Sequence, residues 1–200
     1  MEFDLVALQK QIEQKKRNYP QEWLGRSLAY TPYQPRPISE SLRKTQTFTP
    51  KNLYHLPDSK DFLEIAISKA QHHSALLLDS LENLTYIRRY IHLPLVFNAP
   101  IIDTYQILES LVYGADCIAL RAAILSQRDL KTLSDFSLKL GLESIFFVHS
   151  KEDLTKAIFA GANMLVIEDI DLIPLIPNNK IILAYATSSH KGIDSFILSD

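Results

Sequence analysis

One feature constrains this chain more than any other: from about residue 58 onward, short apolar runs alternate with longer stretches of helical period. The runs at 75–78, 94–97, 118–120, 144–148, 164–167 and 180–184 read as buried strands. The stretches at 82–91, 104–113, 127–140 and 151–160 read as amphipathic helices. An earlier helix carries Phe62, Leu63, Ile65 and Ala66, with Asp58 or Ser59 available as its cap. Gly114, Gly141 and Gly161 each close a helix, where glycine supplies the left-handed turn into the next strand. Short apolar strands separated by helices predict parallel βα units, and their uneven spacing excludes a strict solenoid period. The pattern leaves two architectures open, a doubly wound open sheet and a closed barrel. The open sheet is the commoner, but no Gly-x-Gly-x-x-Gly or Walker-type loop follows any strand, so its usual phosphate cradle is missing.

The N-terminal part reads differently. Residues 3–17 place Phe3, Leu5, Leu8 and Ile12 near helical spacing and end in Lys15, Lys16 and Arg17, which suit the negative end of a helix dipole. Tyr19-Pro20 stops that helix. In the segment that follows, Pro32, Pro35 and Pro37 lie too close together for a helix or a central strand. Its aromatics Trp23, Tyr30 and Tyr33 are expected to cover a core edge.

Composition narrows the function classes. Among 200 residues, 21 basic side chains stand against 23 acidic ones, so no basic surface points to nucleic acid. The chain begins Met1-Glu2-Phe3-Asp4, acidic where a signal peptide is basic, and its apolar runs are too short for a membrane helix. A soluble cytoplasmic protein is expected, with neither nucleic acid nor membrane as partner. The single cysteine, Cys117, sits among apolar neighbours and is expected to be a buried core thiol.

Particular stretches carry a resemblance. Glu22-Trp23-Leu24-Gly25-Arg26-Ser27-Leu28-Ala29-Tyr30 with Pro35-Arg36 is similar to the N-terminal extension of indole-3-glycerol phosphate synthases. So are Ile102-Asp103-x-Tyr105-Gln106-Ile107 before Tyr113-Gly114-Ala115-Asp116, Leu140-Gly141-Leu142-Glu143, Val148-His149, Gly161-Ala162-Asn163 and Pro177-Asn178-Asn179-Lys180-Ile181-Ile182. The likeness covers most of residues 1–185 and is weakest between 45 and 80. It implies a TIM-barrel-like (βα)8 fold, with its active site at the C-terminal strand ends. One domain is expected, with an N-terminal helical extension over 1–44 and a barrel over 45–200. The family's reaction is a decarboxylating ring closure of a carboxyphenylamino-deoxyribulose phosphate in tryptophan synthesis. The resemblance implies no metal or organic cofactor.

The positions that should carry this chemistry are altered. The family has a lysine after its third strand, where this chain has Asn98, a hydrogen-bonding group that delivers no proton near neutral pH. A glutamate at the end of the fifth strand is replaced by Phe147. The sixth strand should end in an asparagine and then an arginine; here stand Glu168 and Ile170. The seventh ends Tyr185-Ala186-Thr187 where Glu-Ser-Gly is expected, so Ala186 is another mismatch. Around the first strand only His55 and Pro57 stand near the place of an acid and a lysine. Arg121, at the fourth strand end, is a candidate grip for a substrate phosphate or carboxylate, with pairing to Glu168 or Asp169 the favoured reading. His149 is expected to cap or shape a loop, Asp103 to cap a helix, and Glu168, Asp169 and Asp171 to be solvated acids. His72-His73 is read as a helix end.

The last units are short. Only 13 residues separate Ile182 from Phe196, where a parallel crossover ordinarily needs a dozen or more beyond the strands themselves. An incomplete barrel, or one irregular at its last two βα units, is therefore expected, with any pairing of 196–198 against 181–184 antiparallel. The functional expectation is a family homologue without synthase activity, with another protein as possible partner on the surface left by missing helices. The alternatives are an active synthase with a rearranged site, and a non-enzymatic protein- or phosphate-binding module.

Overall fold

The computed structural model describes residues 4–43, 51–185 and 191–199. Eight strands close into a barrel in sequence order, every neighbouring pair parallel: β1 (Lys51–His55), β2 (Ala75–Leu78), β3 (Leu95–Phe97), β4 (Cys117–Arg121), β5 (Glu143–Val148), β6 (Met164–Ile167), β7 (Ile181–Tyr185) and β8 (Ser195–Leu198). Between them run α4 (Phe62–Ala70), α5 (Leu81–Arg88), α6 (Thr104–Val112), α7 (Gln127–Lys139) and α8 (Lys151–Phe159). The pleat decides which way each apolar side chain faces. Leu53, Leu77, Val96, Ala119, Ile145, Val166, Leu183 and Ile197 form one buried cluster inside the barrel. Their alternates, among them Leu76, Ile118, Phe146, Leu165 and Ile182, form a second cluster with the helices. Cys117 is buried in the inner cluster, as its neighbours predicted.

Among the described residues, three α-helices and a 3₁₀ turn (Leu28–Tyr30) precede the barrel: α1 (Leu5–Asn18), α2 (Gln21–Ser27) and α3 (Ser39–Leu42). The basic end of α1 does more than answer the helix dipole. Lys15 Nζ lies 2.8 Å from Glu109, and Lys16 Nζ 2.6 Å from Asp103. Asp103 also heads α6 in a full capping box with Gln106, the role its sequence position predicted. Pro20 does not only end α1; it stands at the N-cap of α2, where its fixed φ suits a helix start. Trp23 and Tyr30 are largely exposed, at 54% and 88%, so they do not cover a core edge. Tyr33 does pack inward, its ring 5.3 Å from the Arg88 guanidinium.

The extended stretch ending in α3 closes the barrel at the N-terminal ends of its strands. Ile38 and Leu42 are fully buried and belong to the interior cluster. Glu143, at the start of β5, accepts the backbone N–H groups of Ile38 and Ser39. Ser195, at the start of β8, donates its hydroxyl to the Leu42 carbonyl at 2.7 Å. Asp116, just before β4 and fully buried, accepts from Arg36 backbone and side chain, from Arg88, and from the Leu95 N–H.

The eighth strand departs from the sequence reading. β8 pairs in parallel with both β7 and β1, for example Tyr185 with Ile197 and Leu53 with Ile197. The antiparallel expectation is wrong, because nine residues link β7 to β8 and extended chain covers about 3.3 Å per residue. That reach, roughly 30 Å by the same figure, exceeds the length of a five-residue strand. The chain can therefore return to the starting edge without a helix. The sheet closes, and the irregularity lies in the outer layer. A 3₁₀ segment, Ile170–Leu175, stands between β6 and β7 in place of an α-helix, and no α-helix follows β7 among the described residues. Nor is any described helix long and apolar enough to cross a membrane.

Candidate active site

The C-terminal strand ends surround a cavity of about 520 Å³. Going round the barrel, its wall takes His55 from β1, Asp79 after β2, Asn98 after β3, Arg121 from β4, Phe147 and His149 at β5, Glu168 after β6 and Tyr185 from β7. Parity explains the set. Phe147 points inward with Ile145, and one residue past β2, β3 or β6 the chain turns toward the mouth. Phe97 has the opposite parity and belongs to the outer layer.

Asn98 is almost buried, and both ends of its amide are occupied. Its Nδ2 donates to Asp79 Oδ1 at 2.8 Å, and its Oδ1 accepts from Arg121 at 3.1 Å. The same Arg121 nitrogen also donates to the Asn98 carbonyl at 2.6 Å, while the guanidinium carbon lies 5.1 Å from the Phe147 ring centre. The other oxygen of Asp79 meets His55 Nε2 at 2.8 Å. Burial alone would raise the Asp79 carboxyl, but the hydrogen bond and charge of His55, the Asn98 amide and the Arg121 charge together hold it below the ordinary carboxylate value. Burial lowers the Arg121 guanidinium against the opposing pull of Asp79. It likewise raises the Tyr185 hydroxyl, with Arg121 acting the other way.

On the far wall His149 Nδ1 lies 2.9 Å from Glu168 Oε2. Arg121, for which pairing with Glu168 or Asp169 was the favoured reading, contacts Asn98 and the Phe147 ring, and Glu168 meets His149. Ring order accounts for the His149–Glu168 contact, since β5 and β6 are neighbours. Asp169 accepts the Asp171 N–H at 2.9 Å and caps the 3₁₀ segment. His149 shapes its loop only through its backbone, whose N–H donates to Asp153 at 3.3 Å, and its ring lines the mouth. His73 lies away from this ring, its Nδ1 2.8 Å from the Lys69 carbonyl oxygen. Ala186 lies outside the described residues. Asp79 is the wall residue that sequence reasoning missed. Its signal was present, since it directly follows an apolar strand of a barrel.

The fold and its mouth define a parallel (βα)8 barrel with a polar site at the C-terminal strand ends. A family profile described as Indole-3-glycerol phosphate synthase matches residues 66–176. An indole-3-glycerol phosphate synthase from Campylobacter concisus is 35% identical, over 94% of this chain and 88% of its own length. One from Sulfurimonas denitrificans is 33% identical over the same shares. The chain belongs to the indole-3-glycerol phosphate synthase family. The first alignment spans 229 positions against a chain of 200 residues, so that relative carries segments this chain lacks. Among solved structures, an N-acetylmannosamine-6-phosphate 2-epimerase from Clostridium perfringens superposes with a TM-score of 0.66 at 11% identity, over 84% of this chain and 91% of that one. A 3-keto-L-gulonate-6-phosphate decarboxylase from Vibrio cholerae gives 0.62 at 11%, over 76% and 89%. At such identity these likenesses speak for the barrel alone.

Proposed function

We propose that this chain is a family member that has lost the synthase reaction and keeps its barrel mouth as a small-molecule site. One observation carries the reading: where the resemblance calls for a proton-donating lysine and a carboxylate, the mouth holds the engaged Asn98 amide and the Phe147 ring. Neither exchanges a proton near neutral pH, and each lost proton-transfer group commonly costs about 10²- to 10⁴-fold in rate. Expression in a tryptophan auxotroph lacking the synthase tests this, with a Campylobacter relative as positive control and immunoblotting to confirm the protein is present. No growth is expected, and growth overturns the proposal. A second reading, an active synthase with a rearranged site, draws on the two histidine–carboxylate pairs of the mouth, which could take over proton transfer. The same selection decides between them.

A further inference from the structure

The mouth holds its two histidines in the same way. Each has one ring nitrogen against a carboxylate, His55 Nε2 on Asp79 and His149 Nδ1 on Glu168. In the neutral ring a carboxylate takes the nitrogen that carries the proton, so the other nitrogen is left with a lone pair. On His55 that is Nδ1 and on His149 Nε2, and neither has a hydrogen-bond partner among the described residues. Both rings line the same cavity as Arg121.

Charge then sets a condition on what can enter. The described wall carries Asp79 and Glu168 as anions and Arg121 as a cation, with Tyr185 neutral because its hydroxyl is raised. Behind His149, on α8, Lys156 lies 3.5 Å from both Asp153 and Glu152. With both imidazoles neutral, an entering anion meets one more negative than positive charge, and each ring keeps one lone pair. With both protonated the balance reverses, and the same two nitrogens become donors.

We infer that the barrel mouth binds a small organic anion together with protons, the anion lying against Arg121 and the protons residing on His55 and His149. The inference rests on the reading that the mouth is kept as a small-molecule site. The cavity volume falls within the usual range for such ligands, and the coupling is reciprocal, so a bound anion raises the proton affinity of both rings.

Titration calorimetry with sulfate and with oxalate, whose charges are constant near neutral pH, tests this. The two probes separate a phosphate-like from a carboxylate preference. Affinity for the better probe should rise as pH falls through neutrality. Proton uptake should appear as a heat that changes with buffer ionisation enthalpy. His55→Gln and His149→Gln should each remove part of the dependence. If either variant fails to fold, the pH series on the unaltered protein still decides. Affinity that is flat with pH, or no binding of either probe, overturns the inference. Growth of the auxotroph would overturn the proposed loss of synthase chemistry and leave this linkage standing, whereas a flat pH series would do the reverse.

Discussion

Single side chains divide here into those that hold the barrel and those that define its mouth. Asp116 is of the first kind: fully buried, it is shared by two guanidinium groups from different parts of the chain. Removing one member of a buried charged cluster costs about 3–5 kcal/mol, because the remaining charges lose their partner. Asp116→Ala should therefore lower unfolding free energy by that order, read from urea denaturation. Asp79 is of the second kind. Its carboxyl is held below its ordinary value, so its contribution to stability is fully present above the unfolded value of about 3.9 and is lost as pH falls through the folded one. Thermal midpoints followed below about pH 4 should fall less steeply for Asp79→Asn than for the unaltered chain. An equally steep acid limb would mean that His55 and Asn98 do not favour the ionised form.

At the level of elements, β2 to β7 were legible because buried parallel strands are continuous apolar runs, whereas β1, Lys51–His55, is not such a run, and the glycines after α6, α7 and α8 do adopt positive φ. α2 was not legible, since Pro20 ends one helix and opens the next, and only its packing distinguishes the two. The direction of β8 was missed for a different reason. A parallel crossover does not require a helix, because extended chain needs fewer residues to cover the same distance. Barrel order also explains what was hidden at the site: closing the sheet gathers the ends of strands far apart in sequence round one mouth, so that Asp79 meets both His55 and Asn98. Two predictions belong at this scale. Leu42→Ala opens a cavity in the plug at the closed end and should cost about 2–5 kcal/mol. Gly192 precedes β8 at φ +105°, and a Cβ there would lie 3.0 Å from Ile173 Cγ2. Gly192→Ala should cost about 1–2 kcal/mol, seen as a lower thermal midpoint.

For the molecule as a whole, a complete parallel sheet carries, among the described residues, no α-helix after β6 or β7, and its mouth has a different set of charges. Restoring two residues should not restore the family's chemistry. In Asn98→Lys/Phe147→Glu, the new carboxylate would stand beside Arg121, which now lies over the Phe147 ring, and the two would pair with each other. The new lysine would displace the amide that joins Asp79 to Arg121. A displacement of about 1 Å in a reacting group can alone cost ~10²-fold, so the double variant should stay at background. The most direct measurement is turnover by the purified, unaltered chain of the carboxyphenylamino-deoxyribulose phosphate used by the family, alongside a Campylobacter relative. No indole-3-glycerol phosphate is expected above the enzyme-free rate. Product that forms with the unaltered chain, and is lost in Asn98→Ala, would contradict it.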